Sequence, residues 1–404
     1  MSMAARSSAA RHIAWMCAAH VISMPGFAAY STLLPRLQAE WGMNNSQAGL
    51  VSGAFFAGYM TAVPLLASLT DRIDARRIYA FSCVMLAVAL GGFALFAQGF
   101  VTAALFQAAA GAGIAGTYMP GLRVLTDNTT GAAQARSISF YTAIFGLGTS
   151  ISILVSGMLA DAWGWRSAFV AAAVGPVIAG VMVAAGMPPS RLDGGRAAPL
   201  LNFRPVLRAR EVWAYMLGYT VHCWELFGSR SWLVAFCFFA QSAQPDGGRW
   251  GWSPVAIAAI ANLFGPPASI LGNELALRFG RGRLIAAAMI SSGLLTCVLG
   301  FVSTLPWFAI AGLAMLHMML VMGDSSALTS GMVAHSAPEA RGATMAVHST
   351  LGFGAGFIAP LVFGAVLDLA GGNANATAWG LAFVTLGAGA VIAPWLLGFA
   401  RRGT

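Results

Sequence analysis

The chain has 404 residues, of which 58% are hydrophobic and only 9% are charged, and its mean hydropathy is +0.75. A soluble domain carries about a quarter charged residues, so this composition excludes the soluble fold classes. The formal net charge of +9 comes from 22 arginines that are dispersed among short loops, with no lysine. Membrane proteins typically place their positive charges in this way. We therefore expect this chain to lie in a lipid bilayer and not to bind nucleic acid.

Apolar runs of about 20 residues recur along the chain, and each is long enough to cross a bilayer core of about 30 Å. Six runs precede a polar break, with approximate bounds 13–34, 47–69, 78–98, 101–124, 138–159 and 167–187. Six more follow it, at 212–240, 255–277, 284–303, 307–333, 343–369 and 377–399. The sequence therefore predicts an all-α membrane protein with twelve transmembrane helices.

The polar break contains two adjacent prolines, a glycine pair and five arginines, which is typical of a linker. It predicts an N-terminal six-helix bundle over 1–187, a cytoplasmic linker over 188–210 and a C-terminal six-helix bundle over 211–404. With both termini in the cytoplasm, 18 of the 22 arginines lie on the cytoplasmic side, three lie outside and one lies within a span. The positive-inside bias favours this orientation.

A weak internal repeat relates the two predicted bundles, with a period of about 205–209 residues. Trp41-Gly42 before the second span matches Trp250-Gly251 before the eighth. Because six spans separate the two copies, both halves have the same orientation in the membrane. This is a parallel repeat, whose axis runs along the membrane normal.

The loop between the second and third spans carries Asp71 and Arg72, followed by Arg76 and Arg77. With this acidic and basic core and the repeated twelve-span pattern, the chain resembles the major facilitator superfamily over essentially its whole length. It departs from the loop pattern of that family at Asp74, where the family has a glycine. The resemblance implies a secondary transporter of a bacterial-type inner membrane, in which these four charged residues gate the conformational change. The alternative is that the arginines only fix topology through anionic lipid headgroups.

Charged residues at mid-membrane depth are costly and therefore mark candidate sites. The seventh span carries His222, Glu225, Arg230 and Trp232 as candidate substrate-binding residues. At 100° per residue, Arg230 lies roughly 140° from Glu225, so the two are not expected to pair unless Gly228 breaks the helix. Arg230 then contacts either an anionic substrate or an acid on a neighbouring helix. Glu225 either carries a proton or binds substrate, or is a structural partner.

The tenth span offers His317 and Asp324, which lie seven residues apart and so share a helix face. Together with Glu225 they are the candidate proton-coupling groups. The alternative for Asp324 is that it caps a kink or bonds across helices. Tyr30 and Tyr118 are candidate cavity hydroxyls, with ordinary packing as the alternative.

We find no metal-ligand spacing, nucleotide-phosphate loop or nucleophile constellation in the sequence, so we expect no cofactor and no enzymatic activity. The leading hypothesis is a monomeric secondary transporter of a small organic anion or polar metabolite, because Arg230 is the deep fixed cation. A proton is the candidate coupling ion, which would make the protein a symporter. Two alternatives stay open: proton-driven efflux of amphipathic drugs, and a receptor or assembly factor that transports nothing.

Overall fold

The structure is a computed structural model that describes residues 3–70, 72–129, 132–189, 206, 210–244, 251–337 and 341–399. Within these ranges the regular structure is helical, and no strand occurs in them. We number the helices α1 Met3–Ser23, α2 Ala29–Trp41, α3 Asn45–Leu69, α4 Ala75–Phe96, α5 Phe100–Asp127, α6 Ala132–Trp163, α7 Trp165–Gly186, α8 Arg210–Ser242, α9 Pro254–Leu263, α10 Gly265–Phe279, α11 Arg281–Leu299, α12 Trp307–Met322, α13 Ser325–His335, α14 Arg341–Leu369 and α15 Ala376–Leu396.

Ten helical segments in the described part of the chain are long and apolar enough to cross a membrane. Their outward faces carry large apolar side chains such as Phe81, Val88 and Leu95, which are 59%, 67% and 67% exposed. Such a surface requires an apolar surrounding, so the chain is a multi-pass membrane protein. The other two predicted spans coincide with α8, which carries the polar candidates, and with the divided pair α1 and α2. Twelve spans in two related bundles stay a prediction.

Three predicted spans are each divided into two helices, which a continuous apolar run does not reveal. The first divides at 24–28, the eighth at Phe264 and the tenth at 323–324. At the first break, the Ser152 hydroxyl accepts from the backbone N–H of Ala28 at 2.9 Å and donates to the Pro25 carbonyl at 2.6 Å. One hydroxyl thereby satisfies two backbone groups that would otherwise be unpaired in hydrocarbon.

The seventh predicted span is not divided. Helix α8 runs without interruption through Gly228, so the break considered there is absent. The reason is packing: a Cβ at Gly228 would collide with the side chain of Leu386 on α15. This glycine lets two helices approach closely while the backbone hydrogen bonds of α8 stay intact.

The helices before and after the linker meet along two seams, α3 against α14 and α6 against α9. At the first seam, Gly49 lies against the backbone carbonyl of Pro360, where no Cβ would fit. At one end of this seam Asn373 donates to the Gln38 amide oxygen and Asn45 donates to Asp368, and we call that end the distal face. The turn at 70–74 and the end of α7 lie together at the opposite, proximal face.

Candidate functional site

A narrow cavity lies between the N-terminal helices (α1–α7) and the C-terminal helices (α8–α15). It has room for about three water molecules. Its apolar wall is formed by four phenylalanines, Phe27, Phe55, Phe56 and Phe227. Phe56 comes from α3 and Phe227 from α8, and their rings are in contact, with centroids 4.4 Å apart. Side chains from both sides of the molecule therefore line one space.

The polar side of the cavity is built around Arg230 of α8. Among the described residues no carboxylate lies within ion-pair distance of its guanidinium, whose Nη2 is 4.0 Å from the sulfur of Met322. The buried Nε of Arg230 has no hydrogen-bond partner either. Gln107 and Asn262 line the same cavity, and each has one buried side-chain atom, Nε2 and Oδ1 respectively, without a partner. These donors and the acceptor are free to bind a solute.

Glu225 points away from the cavity, toward α11, as the helical spacing predicts. Its Oε2 accepts a hydrogen bond from the Ser292 hydroxyl at 3.0 Å, and its Oε1 accepts one from the Thr296 hydroxyl at 2.6 Å. Thr296 also lies 3.1 Å from Nδ1 of His317. A hydroxyl has a single proton, so when Thr296 donates to Glu225, His317 Nδ1 donates to Thr296. The three groups form a buried hydrogen-bonded chain.

His222 and Asp324 form a second buried pair next to this chain. Nδ1 of His222 lies 2.7 Å from Oδ1 of Asp324, a close contact without the alignment of a hydrogen bond. Asp324 lies at the break that precedes α13. His317 and Asp324 were expected to share one helix face, but this break separates their surroundings and each contacts a different partner.

The remaining substrate candidates occupy three different environments. Tyr30 lines the cavity and its hydroxyl donates to the Ala48 carbonyl at 3.3 Å. Tyr118 packs among the rings of His20 and Tyr141, at centroid distances of 5.6 and 5.8 Å, and does not line the cavity. Trp232 is fully buried against α14, where its indole N–H donates to the Pro360 carbonyl at 3.0 Å. Of these three, only Tyr30 is placed to contact a solute in this cavity.

The structure describes part of the candidate gating cluster. Asp71 lies outside the described residues, while Arg72 and Arg77 are exposed at the proximal face. Arg76 bonds to the Asp74 carboxylate at 2.7 Å and donates to the Met187 carbonyl at 2.7 Å. These contacts join α4 to the end of α7, and both helices belong to the N-terminal group.

A cluster of hydrogen bonds at the distal face joins the two groups of helices. Asp368 of α14 accepts hydrogen bonds from the backbone N–H groups of Asn45 and Ser46 at 3.0 and 2.8 Å. It also accepts from the Asn45 amide at 2.8 Å and the Ser46 hydroxyl at 2.6 Å. A carboxylate thus lies at the N-terminus of α3, where the helix dipole and unpaired N–H groups favour an anion. We call Asp368, Asn45 and Ser46 the distal latch.

The sequence model of the Major Facilitator Superfamily matches residues 16–360, and the chain belongs to that family. The solved and curated proteins that this chain resembles are named as transporters, and none of them as an enzyme.

The fold agrees with solved members of the family. A bacterial homolog of the human lysosomal transporter Spinster, in an inward-facing and occupied conformation, superposes with a TM-score of 0.75 at 16% identity, over 100% of this chain and 98% of that one. A variant of the nucleoside transporter NupG superposes with a TM-score of 0.77 at 13% identity, over 97% and 100%. Identities this low show the fold alone.

A curated relative, "Probable sphingolipid transporter spinster homolog 1" of Arabidopsis thaliana, is 23% identical over 158 residues. The aligned segment is 39% of this chain and 32% of that protein, so the chain matches about a third of the relative's length.

Proposed function

We propose that this chain is a secondary transporter that carries a small organic anion by alternating access, with Arg230 binding the negative charge. The observation that supports this most directly is a partly buried guanidinium that faces the cavity, has a buried and unpartnered Nε and has no carboxylate partner among the described residues. An unpaired arginine at this depth is unfavourable by at least about 2.5–3.5 kcal/mol. An anionic solute supplies the missing partner.

Alternating access requires the two helix groups to separate at each face in turn. The distal latch and the aromatic contact between Phe56 and Phe227 hold them together here. We propose twelve spans in two six-helix bundles, in a monomer that lies in a bacterial-type inner membrane. In this proposal Asp71, Arg72, Arg76 and Arg77 form the corresponding gate at the proximal, cytoplasmic face.

We propose that a proton is the coupling ion and that the carboxylates of Glu225 and Asp324 carry it. The chain Glu225–Thr296–His317 and the pair His222–Asp324 support this, because both are buried polar contacts away from the cavity. Buried groups of this kind commonly serve proton relays in membrane proteins. Separate sites would let the proton and the solute bind at the same time, as symport requires.

The test of this function is binding and uptake with the purified full-length chain. In a thermal-shift screen we expect small organic anions to raise the Tm, while matched neutral and cationic compounds do not. In proteoliposomes, an inward proton gradient should then accelerate uptake of the anion that binds. A screen in which only cationic amphipathic compounds stabilise the protein would replace this proposal with drug efflux.

Drug efflux is the second candidate because the four phenylalanines of the cavity also suit amphipathic compounds. Aromatic faces attract cations. However, the described residues that line the cavity include Arg230 and no carboxylate, so a cationic drug meets a like charge there. This contact favours an anion.

The proposed orientation predicts that both termini are cytoplasmic. A reporter that is active only in the cytoplasm, fused after the final residue Thr404, should give full signal. The matched fusion of a reporter active only outside the cytoplasm should stay silent. The reverse pattern would contradict the orientation.

For the coupling site, we expect Glu225→Gln to spare anion binding and flatten the pH dependence of uptake. The amide keeps hydrogen-bonding capacity toward Ser292 and Thr296 but cannot take up or release a proton. Initial uptake rates measured over a pH series give the readout, and Glu274→Gln at an exposed position of α10 is the matched control. A wild-type pH profile in Glu225→Gln would move the proton site to Asp324.

A further inference from the structure

We infer that the preferred solutes are monoanions whose body is a planar aromatic ring, rather than small polar metabolites. This inference rests on the proposed function and narrows the solute that the same cavity accepts. Three features support this inference: the number of charges in the cavity, the aromatic side chains of its walls, and the ring contact between the two helix groups.

The charges set the number of negative groups on the solute. Arg230 is the one charged side chain among the described residues that line the cavity, and the other polar groups there are neutral amides and hydroxyls. A single carboxylate pairs with the fork of one guanidinium. A second carboxylate on the solute would have no cation here and would lose its hydration without compensation. The cavity therefore favours one negative charge.

The walls set the body of the solute. The rings of Phe27 and Phe55 meet edge to face at 5.4 Å, and those of Phe55 and Phe56 do so at 5.5 Å. These rings continue to Phe227. An aromatic ring on the solute finds ring faces and edges at contact distance along this wall, whereas a small hydroxy acid has no ring to pack against them.

The way the walls meet explains how a flat ring can enter a space this narrow. Phe56 and Phe227 come from opposite helix groups, and their rings lie 4.4 Å apart at an interplanar angle of 37°. When the groups separate during the transport cycle, this contact opens and exposes two ring faces. A planar ring that slides between them restores stacking on both sides, so the loaded protein can close again. A solute without a ring leaves the two exposed ring faces unstacked.

The unpartnered amide atoms of Gln107 and Asn262 add one directional element. Nε2 of Gln107 is a buried donor and Oδ1 of Asn262 is a buried acceptor, and both belong to residues that line the cavity. Unpaired buried polar atoms are unfavourable, and a carboxylate oxygen can accept from Gln107 while Arg230 holds the charge. The Gln107 amide thus orients the carboxylate without calling for a second charge on the solute, while the Asn262 oxygen can accept only from a donor group.

The experiment is competition against radiolabelled benzoate on the purified full-length protein. We expect unlabelled benzoate to compete about fivefold better than cyclohexanecarboxylate, which has similar size and the same charge but no π face. Both should compete better than acetate, and succinate should be weakest. Equal competition by benzoate and cyclohexanecarboxylate, or stronger competition by succinate, would overturn the inference while leaving anion transport intact.

Ring variants test the stacking inference separately from the proposed function. Phe227→Leu and Phe56→Leu, made separately, keep an apolar side chain but remove a ring, so each should reduce the preference for benzoate over cyclohexanecarboxylate to near unity. Phe81→Leu, on the exposed face of α4, is the matched control and should keep it. If no carboxylate competes at all in wild-type protein, the proposed function itself is wrong. A preference that survives both ring variants would contradict the ring-stacking inference alone.

Discussion

Arg230→Ala is expected to weaken anion binding by at least about thirtyfold and to reduce uptake to near background. Removing one partner of a desolvated charge pair costs about 2 kcal/mol or more, and each 1.4 kcal/mol is a tenfold change in affinity. The effect should be this large because no other cation among the described residues lines the cavity. Equilibrium binding of labelled benzoate and proteoliposome uptake give the two readouts.

Arg230→Lys distinguishes charge from geometry at the same position. Lysine retains the positive charge but offers a point charge in place of the planar fork, so we expect an intermediate loss of about tenfold. Arg166→Ala is the control, because Arg166 is half exposed beside Trp165 at the distal face, away from the cavity. Unchanged affinity in Arg230→Ala would remove Arg230 from the binding site and would contradict the proposed function.

Local features of this fold could be predicted because they depend on neighbours in the chain. The apolar runs predict where the spans lie, and ten of the helical segments have the length and composition to cross a membrane. Helical periodicity also predicts that Glu225 and Arg230 point in different directions, since five residues rotate the helix by about 140°. Arg123 and Asp127 pair at 2.8 Å for the same reason, being one helical turn apart.

Features that depend on distant parts of the chain could not be predicted from one sequence. A glycine such as Gly228 allows a helix break, but here the helix is continuous. Gly228 instead packs against Leu386, which lies 158 positions further along the chain. The aromatic cavity wall requires Phe56 and Phe227 to meet, and no local pattern indicates that pairing. Trp232 is a candidate substrate-binding residue by its place in the seventh span, yet tertiary packing buries it against α14.

The distal latch could not be predicted from the sequence for a related reason. An acidic residue near the C-terminal end of an apolar run, such as Asp368, usually faces water. Here its partners are 322 and 323 residues away in the chain, at the start of α3. Asparagine is a common residue at helix starts, and Asn44 caps α3 in this way. What the pattern leaves out is which carboxylate comes to that helix end.

Breaking the distal latch is expected to shift the protein toward a state that is open at the distal face. Asp368→Ala removes four hydrogen bonds, three of them within 2.8 Å, from a carboxylate to the N-terminus of α3. A hydrogen bond to a charged group contributes about 1.5–3 kcal/mol. Because Asp368 is partly exposed, we expect a total near the lower value, and therefore about a tenfold shift in the ratio of closed to open molecules.

Spin labels at Ala39 and Ala374, two exposed distal positions in a cysteine-free background, should report this shift. We expect their distance distribution to gain a component at longer distance in Asp368→Ala. The same component should be less populated in Asp368→Asn, which keeps one acceptor oxygen but loses the charge. Asp161→Asn is the control, because Asp161 is an exposed acid at the distal end of α6. A distribution that stays identical to wild type in Asp368→Ala would show that the two glycine-lined helices α3 and α14 hold the distal face closed without the latch.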